Sequence, residues 1–367
     1  MPVDRPNASD PVRELCRGSE RFTAMKKLSA VALFAASVLC TASLAGAAPF
    51  PLSTLATVPE STLGLAYITG GDPAGGYAGP NQGQWQSVAF QRGAMDKIDH
   101  GVIKNDPALI DKWWPFLDVA FQHQRPDGGF EYASVIDGHE QLPVNQFGGD
   151  SFWLGESEVA LLMVRSSPLA PRYQARIDAL VPKYRLALEY LAANKASLMK
   201  TDFNARMGSG ATNRLFADAE AFLLGDLLIG GTDPSVKQAG EEFLSLGLQG
   251  QAPEGYFVEK GGPDSSYNAG SCLRLAEISL FLNDPRIQPA LDKSVDWELT
   301  QLKSDGQIDA SHNTRTNGQE MYHGKVKTVN YSGVDRMLVL DYGNTGDPKI
   351  LAAATNIANY YHATTGK

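Results

Sequence analysis

A proline, usually preceded by aspartate, recurs before amphipathic stretches along most of this chain: Asp106-Pro107, Pro168, Asp233-Pro234, Asp284-Pro285 and Asp347-Pro348. Aspartate accepts hydrogen bonds from the unpaired N–H groups of a helix's first turn, and proline fits there because its missing N–H would have had no partner. Each site therefore predicts a helix start. The prolines lie 61, 66, 51 and 63 residues apart. Loops of one shape fall between them: Pro126-Asp127-Gly128-Gly129-Phe130, Pro253-Glu254-Gly255-Tyr256-Phe257 and Asp305-Gly306-Gln307-Ile308. A second kind of helix, richer in apolar and small residues, is predicted near 150–165, 211–229, 266–282 and 330–343, with an earlier one near 84–100. Long strand-like alternation is absent. Paired helices at this interval point to a helical solenoid or a closed toroid. The unit is longer than the usual short solenoid repeats, and its loops carry Gly, aromatic and polar residues. The expected fold is therefore all-α, an α/α barrel (toroid) of repeated helix pairs, with Asp-Pro helices outside and apolar helices inside. An open helical-repeat binding protein is the alternative.

The N-terminal region reads as targeting sequence. Met25-Lys26-Lys27, the apolar run from Leu28 to Leu44 and the small-residue site Ala45-Gly46-Ala47 have the layout of a secretory signal peptide. The run is too short and wrongly flanked for a mature membrane span. Residues 1–24 are then upstream leader, 25–47 the signal peptide and 48–367 one α/α-barrel domain, cleaved near Ala47 and secreted or periplasmic. Cys16 and Cys40 leave with the leader, so Cys272 has no partner for an internal disulfide, and stability must come from a packed core. The whole chain carries a net charge of −9; six basic and four acidic residues lie in the leader, which leaves the mature part at −11. Such a balance excludes a general nucleic-acid binder, and an anionic ligand would need a locally basic site.

If the apolar helices share one end, their N-termini converge on a rim. The residues there are Gly149-Asp150-Ser151-Phe152-Trp153, Ala211-Thr212-Asn213-Arg214, Gly261-Gly262-Pro263-Asp264-Ser265-Ser266-Tyr267-Asn268 and Val329-Asn330-Tyr331-Ser332. Asp150, Thr212 and Ser265 are ordinary caps; Asn213, Arg214, Tyr267, Asn268 and Trp153 are not explained that way. The densest polar stretch runs from His312 to Lys327, with Arg315, Tyr322, His323, Lys325 and Lys327. A long connection of this kind in a compact domain is often functional. No His/Glu metal helix, cysteine cluster or phosphate-binding glycine loop is present, so neither metal nor cofactor is expected. Carboxylate pairs such as Asp150 with Asp264, or Glu254 with Asp309, are open to acid–base work.

With its signal peptide and helical repeat, the chain resembles the α/α-barrel carbohydrate-active enzymes, and most of all the polysaccharide lyases of the alginate/glucuronan type. The likeness spans about residues 80–365. Such lyases use an Asn, a Tyr and/or His, and an Arg on the barrel rim, and the matching positions here are Asn213, Tyr267, Arg315, Tyr322 and His323. Tyr267-Asn268 departs from the pattern where a histidine is expected on the inner helix. The resemblance implies β-elimination on a uronic-acid polymer: a base removes the C5 proton, cations and an Asn stabilise the developing charge, and an acid protonates the leaving oxygen. Tyr322, His323 and Tyr267 are the expected proton-transfer group, with Arg315 and Asn213 on the substrate carboxylate. Arg214, Asn268, His312, Lys325, Lys327, Trp153 and Trp85 are the expected substrate contacts, and Phe130 is a further stacking candidate. A glycoside hydrolase of the same fold class using two carboxylates, and a non-catalytic carbohydrate-binding protein, are the alternatives.

Overall fold

The computed structural model describes residues 50–68, 76–77, 84–136, 139–140, 143–199, 211–322 and 324–366. The leader and signal peptide expected at 1–47 lie outside them. The chain from Ala45 onward is one compact unit, and the described part of it is mostly helical. The helices are α1 (Leu52–Leu55), α2 (Glu60–Ala66), α3 (Met95–Ile103), α4 (Pro107–Trp113), α5 (Pro115–Gln122), α6 (Pro143–Arg165), α7 (Ala170–Ala193), α8 (Lys195–Met199), α9 (Thr212–Leu228), α10 (Pro234–Leu248), α11 (Ser265–Ser279), α12 (Ile287–Thr300), α13 (Tyr331–Thr345) and α14 (Pro348–Thr365). The strands are two-residue antiparallel pairs: β1 (Val135–Ile136) with β2 (His139–Glu140), and β3 (Met321–Tyr322) with β4 (Lys325–Val326). Among the described residues no helix is long and apolar enough to cross a membrane.

The Asp-Pro sites cap helices as their chemistry requires. Asp106 accepts from Ala108 N and Leu109 N, Asp233 from Ser235 N and Asp347 from Lys349 N, with Pro at the start of α4, α10 and α14. Asp284 makes the same bond to Arg286 N, one residue ahead of α12. The apolar helices fall close to their expected spans, with two corrections. Helix α6 begins at Pro143 rather than near 150. The stretch 84–100 is broken: Ser87 caps a 3₁₀ helix over Val88–Ala94, and α3 follows it.

The repeated loops dock in one way. Phe130, Phe257 and Ile308 are buried, and each closes a bridge, Gln124–Phe130, Gln251–Phe257 and Leu302–Ile308. The loop glycines Gly128, Gly255 and Gly306 have φ of 98°, 112° and 90°. A Cβ on them would lie 2.2, 2.4 and 2.0 Å from the carbonyl oxygens of Leu186 (α7), Lys293 (α12) and Asn356 (α14). Glycine is required twice over, for the backbone conformation and for the close approach to a neighbouring helix.

Helix α3 packs on α6, α6 on α9, α9 on α11, α11 on α13 and α13 on α2; α10, α12 and α14 pack on α9, α11 and α13. Among these helices lie two buried arginines. Arg274 (α11) bonds Glu220 (2.9 Å, α9), Glu277 (3.0 Å, α11) and Glu156 (α6). Arg336 (α13) bonds Glu277 (2.7 Å), Glu156 (3.1 Å), Asp99 (3.2 Å, α3) and Asp96 (α3). Removing one partner from such a network strands charges away from water, typically at a cost of about 3–5 kcal/mol. Arg336→Met should destabilise the fold by roughly that amount in denaturant titrations. Burial, opposed by Arg336, already pushes Asp96 up to about 7; without Arg336 the folded-state carboxyl pKa values rise further above their unfolded ones. Stability is then lost as pH rises, so the deficit should be larger at pH 8 than at pH 5. A deficit independent of pH, or below about 1 kcal/mol, would contradict this account.

Candidate functional site

A cavity of about 910 Å³ opens at the N-terminal ends of α9, α11 and α13 and against α6 and the 3₁₀ helix. Its upper wall holds Asn213, Arg214, Tyr267, Arg315, Lys327 and Asn330, and its lower part holds Asp96, Glu156, Arg274 and Arg336. Helical rise explains the depth. Arg274 follows Tyr267 by two turns on α11, about 10 Å along the axis, and Arg336 follows Ser332 by one turn on α13. The buried charge network is thus the cavity's floor. Burial opposes ionisation of Glu156, yet Arg274 and Arg336 outweigh it and hold this carboxyl at about 2.

Asp264 fastens the polar 312–327 stretch to the rim. It caps α11 by accepting from Ser266 N (3.1 Å) and Tyr267 N (3.4 Å). It also accepts from Arg315 N (2.8 Å), Thr316 N (2.8 Å) and Thr316 Oγ1 (2.8 Å). Asn313 adds a bond from Ser265 N, and Thr314 donates to Glu259 O. Arg315 is thereby placed with its guanidinium 4.2 Å from the centre of the Tyr267 ring. Its fork is engaged by Glu259 (2.6 Å) and by Glu320 (3.2 and 3.3 Å). Arg315, followed by Lys327 and Lys260, holds Glu320 at about 2. Lys327 bonds Glu320 (2.9 Å) and donates to the Tyr267 hydroxyl oxygen (3.3 Å).

Asn213, Arg214, Tyr267, Arg315 and Lys327 therefore line one cavity. The side chain of Tyr322 and all of His323 lie outside the described residues. His312 and Lys325 are exposed and away from the cavity. Asn268 is buried below the rim, where Oδ1 accepts from Phe257 N and Ser294 Oγ and Nδ2 donates to Glu298. Trp153 is buried among Phe121, Phe130 and Tyr184, which also accounts for Phe130. Trp85 stacks on His123 at 4.1 Å and donates to Glu131 O. Aromatic bulk at a helix start is packed into the core in these cases, and the amide of Asn268 ties α11 to its neighbours.

The carboxylates proposed for hydrolysis are also elsewhere. Asp264 is consumed by five donors, Asp150 is buried beside Gln146, and Glu254 and Asp309 sit in outer loops. The cavity's own carboxylates, Asp96 and Glu156, went unnoticed because they fall inside helices, as did Arg92, Arg274 and Arg336. Charged residues within apolar runs such as Cys272-Leu273-Arg274-Leu275 were the available signal. Among the described residues no group of three or more His, Cys, Asp or Glu is arranged to hold a metal ion.

No known family pattern and no curated protein matches the chain. Among solved structures it is similar to a polysaccharide lyase (14% identity, 84% of this chain and 90% of that one covered, TM-score 0.43). It is also similar to a type II terpene cyclase from Scytonema (15% identity, 83% and 77% covered, TM-score 0.41). A third is a possible member of the GH105 family from Salmonella enterica serovar Paratyphi A (11% identity, 81% and 94% covered, TM-score 0.42). Likeness at this level carries no assignment of activity.

Two outcomes are expected from the rim. Asp264→Ala should free the 312–327 stretch, so limited proteolysis should cut there much faster than in the parent chain; unchanged cleavage would mean that other contacts hold the loop. For Asp150, burial outweighs the Gln146 bond and pushes its carboxyl up to about 8, whereas an unfolded Asp titrates near about 3.9. Its protonated form is favoured in the fold, so the associated stability is complete below pH 4 and lost as pH rises toward 8. The thermal midpoint of Asp150→Asn relative to the parent should therefore climb between pH 4 and pH 8; a constant difference would refute the burial argument.

Proposed function

We propose that the chain is an α/α-toroid polysaccharide lyase that cleaves a uronic-acid-containing polysaccharide or oligosaccharide by β-elimination. For the toroid, the support is that the inner series α3, α6, α9, α11, α13, α2 returns on itself: Arg336 of α13 bonds α3, and Glu60 of α2 bonds His100 and Lys104 at the end of α3. For the chemistry, one observation carries the reading. Tyr267 presents a hydroxyl beside Lys327 and under Arg315 in the wall of a cavity rich in guanidinium groups.

Tyr267, as the phenolate, takes the C5 proton of the uronate. The C5–H electron pair forms the C4=C5 double bond, the C4–O bond breaks, and Tyr267 returns the proton to the leaving oxygen. Negative charge grows on the substrate carboxylate and the neighbouring carbon as the C5–H bond breaks, and Asn213 with the cationic wall meets it. Arg315, its fork already occupied, serves as a fixed cation over the Tyr267 ring. Tyr322 and His323 belong to the same proposed proton-transfer group on sequence grounds.

Hydrolysis has one observation in its favour. Asp96 and Glu156 line the cavity, one pushed up to about 7 by burial and the other held at about 2 by arginines, and carboxyls split in this way suit an acid and a base. Both are engaged by Arg336, and Glu156 also by Arg274, which leaves them poorly placed to meet a sugar. One assay separates the readings: incubation with alginate, glucuronan and pectin, following the ultraviolet band of the unsaturated uronate together with reducing ends. Both signals should rise; reducing ends alone would establish hydrolysis, and neither would remove the enzyme reading for these polymers. On a cleaved substrate, Tyr267→Phe should lower turnover by about a hundredfold or more with folding intact, and near-parental turnover would displace Tyr267 from the chemistry.

A further inference from the structure

Arg92, on the 3₁₀ helix, lines the cavity and is exposed. Among the described residues its guanidinium makes no hydrogen bond or ion pair; its Cζ lies 5.1 Å from the centre of the Phe152 ring, and Glu156 and Asp96 act on it electrostatically. The carboxylates nearest in the sequence of the floor are already taken, Asp96 by Arg336 and Glu156 by Arg274 and Arg336. Arg214, from α9, lies 5.6 Å from the same ring. Two cationic side chains from different elements thus converge on one aromatic ring, which fixes their position through cation–π attraction.

We infer that Arg92, with Arg214 and the Phe152 ring they share, forms a carboxylate-binding subsite that makes this cavity select acidic over neutral sugars. A guanidinium offers five N–H donors in a planar fork that matches a carboxylate edge to edge, and Arg92 lines the cavity with none of its donors in a hydrogen bond among the described residues. Glu156 and Asp96 favour its positive charge, and Arg274 and Arg214 oppose it. Asn213, Ser266 and Asn330 in the same wall supply amide and hydroxyl groups for sugar hydroxyls. Arg92 was not among the residues expected from sequence, and it gives the acidic chain the local positive site that an anionic substrate demands.

The sugar assignment rests on the proposed lyase reading, but the anion subsite is tested without turnover. The full chain is titrated calorimetrically with glucuronate, glucose and glucose 6-sulfate, none of which has a glycosidic bond to cleave. Glucuronate should bind at least about tenfold more tightly than glucose, as charge-assisted bidentate bonds require. Arg92→Gln should remove that preference while leaving glucose binding and the thermal midpoint unchanged, and Arg92→Lys should restore only part of it. Equal affinity for glucuronate and glucose, an Arg92→Gln variant that binds glucuronate as the parent does, or tighter binding of the sulfate would each overturn the carboxylate subsite. Arg92-dependent glucuronate binding with no unsaturated product from any polymer would keep the subsite and sink the lyase; unsaturated product with Arg92-independent binding would do the reverse.

Discussion

Glu156 and Glu277 each bond both Arg274 and Arg336, so two guanidinium groups on adjacent helices are locked into one unit. Asp96, Asp99 and Glu220 complete it, and between them these groups come from α3, α6, α9, α11 and α13. Water is largely excluded, so each ion has lost its hydration and depends on its partners. Five carboxyls against two arginines leave an excess of negative charge that a buried site cannot carry. Protons resolve it: burial pushes Asp99 and Glu220 well above the usual carboxylate range. Space is arranged for the same purpose, since a Cβ on Gly155 would sit 2.4 Å from a Glu220 oxygen. Apolar packing alone would let helices slide and rotate against one another. A network with fixed donor and acceptor directions allows few such adjustments.

That constraint builds the cavity above it. Because the network holds the helices at a fixed depth, the first turns of α9, α11 and α13 present Asn213, Tyr267 and Ser332 at the same end. Asp264 then converts the position of one helix into the position of a loop. A single carboxylate both caps α11 and receives two successive backbone N–H groups of the 312–327 stretch. Arg315 and Lys327 reach Tyr267 only because this anchor sets where their backbones start. Glu259 and Glu320 then fix the Arg315 fork, so the cation over the tyrosine is held by partners from two sides.

Much of this was legible in the sequence for identifiable reasons. Asp-Pro pairs and the Pro/Gly loops are local signals, since caps and positive-φ glycines depend on few neighbours. They gave the helix starts and the recurrence of one loop shape between them. Convergence of Asn213, Tyr267, Arg315 and Lys327 followed from the same regularity. Asn268, one residue after Tyr267 on the helix, points about 100° away from it, and that rotation separates a cavity residue from a buried tie. Trp153 and Phe152 differ in the same way. Helical phase near an N-terminus is hard to set from apolar pattern when the helix is apolar on nearly every side, as α6 and α9 are. The charged floor was hidden for a related reason. An isolated Arg or Glu in an apolar helix shows that something must neutralise it, but most of its partners lie on other helices more than fifty residues away, as Glu220 does from Arg274.

The distribution of charge carries the functional argument one step further. A chain with a net charge of −9 repels an anionic polymer at long range, by a field that salt screens beyond about 8–10 Å. Attraction therefore has to come from groups close to the ligand. In the cavity most cations have fixed counter-charges: Arg274 and Arg336 with the floor carboxyls, Arg315 and Lys327 with Glu320. Such pairs shape the wall and steady Tyr267, but they add little net charge for a ligand. Arg92 is different, because it makes no ion pair among the described residues and its donors are otherwise left to water. Replacing that water by a carboxylate gains charge-assisted bonds. The proposed division of labour is then physical rather than positional: paired cations make the site rigid, and Arg92 gives it a reason to bind an acid.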